Sequence, residues 1–267
     1  RIYMDKKKLC NFINSRFNTM SDDLMSMMTV YFEDYNEQDF SDYNDTFKRM
    51  TGADKVINGV SKLVLFFEEY PNYVFKIPFQ GYYSINECDV DSFKDAAESN
   101  CVPEYFNTDD IVLYNHANGK CELPIDESNY CEAEEYFYRI AKKNKISSMF
   151  AKTQFLCTVG FIPIYVSNRV ESKYSYNKSK HNIKKYNDIA NQIVTKSNKK
   201  YNTYSELHSV ELSSFIADYG INAAKRLIDF INKYNISDFH DGNFGYDKDG
   251  RIKIIDYSGF NDDEVFG

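Results

Sequence analysis

Two acids and an amide lie close together near the carboxyl end of this chain. The text reads Ile236-Ser237-Asp238-Phe239-His240-Asp241-Gly242-Asn243, and later Ile254-Ile255-Asp256-Tyr257-Ser258-Gly259. Four residues separate Asp238 from Asn243, and an apolar strand expected over 251–255 delivers Asp256. Between them, Tyr246-Asp247-Lys248-Asp249-Gly250 reads as a hairpin turn, because Asp-Gly supplies the positive φ a tight turn needs. One short hairpin would then present three oxygen-bearing side chains at one end. Asp238 is suited to accept the proton of an attacking hydroxyl. Asn243 and Asp256 are suited to a hard cation, since Mg2+ takes a few carboxylate and amide oxygens together with phosphate and water. The plain alternative is an Asp/Asn-rich turn between a helix and a hairpin, which these side chains also favour.

This layout resembles the protein-kinase-like superfamily, in which a catalytic-loop Asp and Asn are followed by a metal-binding Asp. Asp238 falls on the catalytic-loop Asp, Asn243 on the metal-binding Asn, and Asp256 on the Asp of Asp-Phe-Gly. The text from Asp238 to Asn243 is similar to the Asp-Leu-His-Pro-Gly-Asn of aminoglycoside-phosphotransferase-like kinases. It also resembles small kinase-like proteins of bacteria and their phages. Ile236 stands where the family has a His. The chain shows no Ala-Pro-Glu text or long activation segment after Asp256, so a reduced C-lobe is expected.

Three other stretches must position these groups. Residues 51–80 read as three strands, two of them the apolar runs 62–67 and 73–79. Lys76 lies inside the second run, where an unpaired ammonium is costly. The resemblance makes it the third-strand lysine that grips the α- and β-phosphates of ATP; the alternative is a lysine on a solvated strand face. The family's glycine loop is reduced to Asn58-Gly59-Val60-Ser61, with Gly59 and Ser61 as candidate phosphate contacts. A strong helix pattern over 131–143 offers Glu132, Glu134 and Glu135 as the acid that pairs with the strand lysine in the family. Glu132 is favoured and the other two are expected at the surface. Two strands are expected over 153–158 and 161–170, and the resemblance makes the second lead to a hinge near Glu171, whose backbone would meet adenine.

The remaining text gives context. The chain has 267 residues and a net charge of −8, which argues against general nucleic-acid binding. It shows no apolar run long enough to span a bilayer and no signal peptide. It begins at Arg1 rather than Met, as a trimmed chain or part of a longer product would. Six cysteines are scattered without a C-x-x-C pair, so free thiols in a reducing cytoplasm are expected. A helix is expected from Ser21, with Leu24, Met25, Met28, Tyr31 and Phe32 on one face. Residues 81–130 are an acidic insertion. Residues 173–204 are rich in Lys and Tyr, read either as a solvated helix or loop or as a tracker of RNA or acidic peptide. Helices are expected over 206–219 and 222–234, with Gly220 ending the first and Asn222 capping the second.

These readings combine as an α+β, two-lobed protein-kinase-like fold with a truncated, mainly helical C-lobe. Residues 1–50 form a helical extension, 51–170 an N-lobe with an antiparallel sheet, and 171–267 the reduced C-lobe. The function implied is transfer of the γ-phosphoryl of ATP, with Mg2+, to a hydroxyl acceptor, on a protein or a small molecule. Competing readings are a pseudokinase or interaction module without turnover and a structural phage protein. A membrane partner is not expected.

Overall fold

The computed structural model describes residues 5–17, 40–58, 62–78, 130–159, 162–172, 183–205, 207–237 and 239–257. Among them the chain is mixed α+β, with a five-stranded antiparallel sheet, a three-stranded sheet and six α-helices. It divides into two compact units: Arg1–Glu132 with Thr153–Ser167, and Ala133–Lys152 with Asn168–Gly267. No helix of the described residues is long and apolar enough to cross a membrane. The expected helix from Ser21 and the acidic insertion lie outside the described residues.

In the first unit, helices α1 (Lys6–Phe17) and α2 (Phe40–Thr51) precede strands β1 (Lys55–Asn58), β2 (Lys62–Phe66) and β3 (Tyr73–Pro78). Strands β4 (Thr153–Val159) and β5 (Ile162–Asn168) complete the sheet in the order β1-β2-β3-β5-β4. Alternation along the strands builds one apolar face. Leu63 pairs with Ile77 and Leu65 with Phe75, and all four are buried. Leu9, Ile13 and Phe17, spaced four apart on α1, pack into the same core. Each such side chain contributes roughly 1.5–3 kcal/mol on burial. A β-bulge between Phe155 and Cys157 interrupts the β4 ladder. There the Phe155 carbonyl accepts from Lys6 Nζ at 2.9 Å and the Leu156 carbonyl from Cys10 Sγ at 3.3 Å. Pro163 sits within β5 opposite Thr158. Among the described residues Cys10, Cys131 and Cys157 are free thiols.

The chain passes from one unit to the other within helix α3 (Tyr130–Lys143). The second unit is then built on α4 (Asn187–Tyr201), α5 (Ser209–Tyr219) and α6 (Ile221–Lys233), which pack on one another. It also holds the short strands β6 (Glu171–Ser172), β7 (Phe244–Tyr246) and β8 (Ile252–Ile254), paired antiparallel in that order. Gly220 N–H closes α5 on the Ile216 carbonyl at 2.9 Å, and the Gly220 carbonyl opens α6 by accepting from Ala224 at 3.1 Å. Helix α6 therefore starts one residue before Asn222, and Gly220 holds the cap position expected of Asn222. Helix α5 starts at Ser209 rather than 206. The lysine-rich stretch is helical over α4, with Lys196, Lys199 and Lys200 exposed.

Candidate functional site

In the first unit, Lys76 is 5 % exposed and pairs across the ladder with Val64. The solvated-face alternative for this lysine is thereby excluded. Residue parity puts Lys76 on the sheet face opposite Leu63, Leu65, Phe75 and Ile77. Lys62 shares that face, opposite Pro78, and is also 5 % exposed. Diagonal partners on an antiparallel pair come within about 7–8 Å, so two buried ammonium side chains occupy one patch. Sequence reading missed Lys62 because it opens an apolar run. The available signal was its even spacing from Val64 once the β2–β3 hairpin was set in register.

Glu132, in the first turn of α3, is buried at 8 % exposure. The expectation that Glu134 and Glu135 lie at the surface is corrected. Glu134 is fully buried and Glu135 half-buried. The buried face of α3 includes Cys131, Glu132, Ala133, Glu134, Phe137 and Ala141. It is wider than the stripe of apolar letters, so the pattern alone underestimated it. Gly59 and Ser61 lie outside the described residues.

In the second unit the hairpin forms as its turn residues demand. Gly250 has φ 73°, and its N–H closes the turn on the Asp247 carbonyl at 2.8 Å. Phe244 pairs with Ile254. One step further, Ile255 N–H donates to the Asn243 carbonyl at 2.9 Å, while Asn243 N–H donates to the His240 carbonyl at 2.9 Å. Asn243 and the residue just before Asp256 are thus joined by a backbone bond at the open end of the hairpin. Asn243 is 5 % exposed and Asp256 half-buried.

Asp256 is held from both sides by one distant residue. The Ile254 carbonyl accepts from Ala151 N–H at 2.7 Å, and Tyr257 Oη donates to the Ala151 carbonyl at 2.8 Å. Tyr257 is fully buried, with its ring 4.9 Å from that of Phe150. Its hydroxyl is therefore satisfied where a buried polar group would otherwise be costly.

Strand β8 is anchored by the end of α5. Asp218 Oδ2 accepts from Ile252 N–H at 2.8 Å, and Tyr219 Oη lies 2.9 Å from the Ile252 carbonyl and 3.0 Å from that of Ser148. Burial pushes the Tyr219 hydroxyl pKa up, helped by the negative charges of Asp247 and Asp218, so it remains a donor. Lys253 Nζ pairs with Asp247 Oδ2 at 3.1 Å and donates to the Ser148 carbonyl. Burial draws the Lys253 pKa below its ordinary value, against the pull of Asp247. For Asp247 burial acts upward, but the Arg251 backbone N–H and the Lys253 ammonium outweigh it and hold the carboxyl low.

Glu171 lies on β6 opposite Tyr246, and its exposed side chain pairs loosely with Arg169 at 3.7 Å. Since β6 is an edge strand among the described residues, its outer backbone groups face away from the sheet. Gly245 makes this approach feasible. A Cβ there would meet the Glu171 carbonyl oxygen at 2.5 Å.

The structure therefore brings Asn243 and Asp256 to one end of a braced hairpin, and buries Lys76 and Glu132 in the first unit. Asp238 lies outside the described residues. Among the described residues no group of three His, Cys, Asp or Glu gathers as metal ligands, and the oxygen donors at this hairpin are one amide and one carboxylate. No family model, curated protein or solved structure matches this chain.

Proposed function

We propose that this chain is an ATP- and Mg-dependent phosphotransferase of the protein-kinase-like kind, acting on a hydroxyl acceptor of a protein. The observation that carries this reading is the backbone bond between Ile255 and Asn243. It joins the backbone of Asn243 to that of the residue before Asp256, with Asp256 flanked by Ile254 and Tyr257, both bonded to Ala151. Two hard oxygen donors suit Mg2+, which completes its shell with phosphate and water. The metal, when bound, neutralises charge on the phosphates. The buried Lys76, on the third strand and followed by a helix with a buried Glu132, supports the same reading.

In the first unit Lys76 would hold the α- and β-phosphates, with Glu132 orienting it. In the second unit Asn243 and Asp256 would hold the metal, and the β6 backbone at Glu171 would meet the adenine edge. Asp238 accepts the proton as the acceptor oxygen bonds to the γ-phosphorus and the bond to the ADP oxygen breaks. Catalysis of this kind is mostly positioning and charge stabilisation, so few residues suffice.

The test is radiolabelled ATP with host lysate, alongside thermal shift with ATP and Mg2+. Asp238→Asn should leave nucleotide stabilisation intact and lower transfer by about 10²–10⁴-fold, the span of general base catalysis. Asp256→Asn should weaken the Mg2+-dependent stabilisation. Transfer at wild-type rates by both variants would end the assignment. A second reading, a nucleotide-binding module without turnover, is favoured by the reduced Asn58-Gly59-Val60-Ser61 text. It predicts stabilisation by ATP with no transfer to any acceptor.

A further inference from the structure

Helices α4 and α6 leave a groove of about 350 Å³ between them. Two facing stripes line it. On α4, Ile189, Ile193, Lys196 and Lys200 recur at helical spacing; on α6, Ile221, Lys225 and Asp229 do the same. Isoleucines open both stripes and lysines follow, and Asp229 ends the stripe on α6.

Charge in the groove is unevenly committed. Both oxygens of Asp229 are taken: Oδ1 accepts from Ser197 Oγ at 2.7 Å and Oδ2 pairs with Lys200 at 2.9 Å. Among the described residues Lys196 and Lys225 make no ion pair. Two ammonium groups therefore face one groove with no acid matched to them, in a chain whose net charge is −8. Beside them Ile221 is 38 % exposed.

We infer that this groove docks an acidic peptide segment carrying an aliphatic side chain about one helical turn from a carboxylate. The aliphatic group covers Ile189 and Ile221, beside the buried Ile193, and the carboxylate meets Lys196 and Lys225. One turn of helix advances about 5.4 Å, close to the rise from Ile193 to Lys196 on α4 and from Ile221 to Lys225 on α6. The lining favours peptide over RNA. Among the described residues no aromatic side chain lines the groove to stack a base. The inference stands on helix geometry and does not depend on nucleotide chemistry.

The experiment selects a phage-displayed random peptide library on the full chain, with counter-selection on the K196E/K225E variant. Recovered peptides are then measured by fluorescence anisotropy at low and raised salt, with a labelled oligouridylate in parallel. Expected are sequences pairing Asp or Glu with Leu, Ile or Val. Their affinity should fall about tenfold in K196E/K225E, from two reversed surface charges, and should weaken with salt. K225A should act in the same direction to a smaller extent, with an unchanged thermal midpoint. The inference is overturned if no acidic sequence is enriched, or if peptides bind wild type and variant alike. Binding of oligouridylate that is lost in K196E/K225E would overturn it in favour of nucleic acid.

Discussion

Replacing Asp247 with Ala tests whether the turn end of the hairpin that leads to Asp256 is held electrostatically. Asp247 Oδ1 accepts the N–H groups of Asp249 and Arg251, both at 3.0 Å. Oδ2 pairs with Lys253 at 3.1 Å and Arg251 at 3.3 Å. The Asp247 and Lys253 side chains are only 16 % and 11 % exposed. Breaking a buried pair at one end costs about 3–5 kcal/mol, and an exposed one about 0.2–1 kcal/mol. This pair lies between those limits, so Asp247→Ala should cost about 2 kcal/mol locally. Lys253→Met removes the ammonium together with its burial penalty, while Asp247 keeps Arg251 and two backbone donors. That change should cost under about 1 kcal/mol.

The assay is hydrogen exchange at the Ile252 and Ile255 amides, which reads the local opening of this hairpin. Asp247→Ala should speed exchange by about 30-fold, and adding Lys253→Met should recover part of the loss. The pH dependence has a fixed sign. The folded carboxyl lies below its unfolded value, so its contribution is full above the ordinary carboxylate range. It is lost as pH falls through the folded value, below about pH 4. Exchange within threefold of wild type in Asp247→Ala, or a double variant worse than Asp247→Ala, would refute the reasoning.

Tyr257→Phe removes the buried donor to the Ala151 carbonyl and should destabilise the second unit by about 1–3 kcal/mol, read by urea denaturation. Gly245→Val forces a side chain against the Glu171 carbonyl and should detach β6 from β7, seen as lost protection at residues 171 and 172. Under the proposed function, Lys62→Met should raise the ATP dissociation constant alongside Lys76→Met; unchanged nucleotide binding would make Lys62 a packing lysine. Burial, with the Cys10 thiol beside it, pushes the Cys157 pKa up to about 12. Mass-spectrometric mapping with iodoacetamide at mild alkaline pH should therefore find Cys157 alkylated far more slowly in the folded chain than in the denatured one.

Where short-range rules govern, the sequence by itself determined the outcome. The Asp-Gly turn, the strands around Lys76, the helix over Tyr130–Lys143 and the stop at Gly220 follow from turn chemistry, periodicity and capping. Asn243 and Asp256 could be placed at one hairpin end because only a dozen residues separate them and the turn sets the register. Only the tertiary structure decided that Glu134 is buried, that Lys62 lies on the same face as Lys76, and that Ala151 grips Asp256 on both sides. Those outcomes depend on partners far along the chain. Periodicity states which residues share a face, but burial of that face is fixed by whatever packs on it, and no local pattern encodes that.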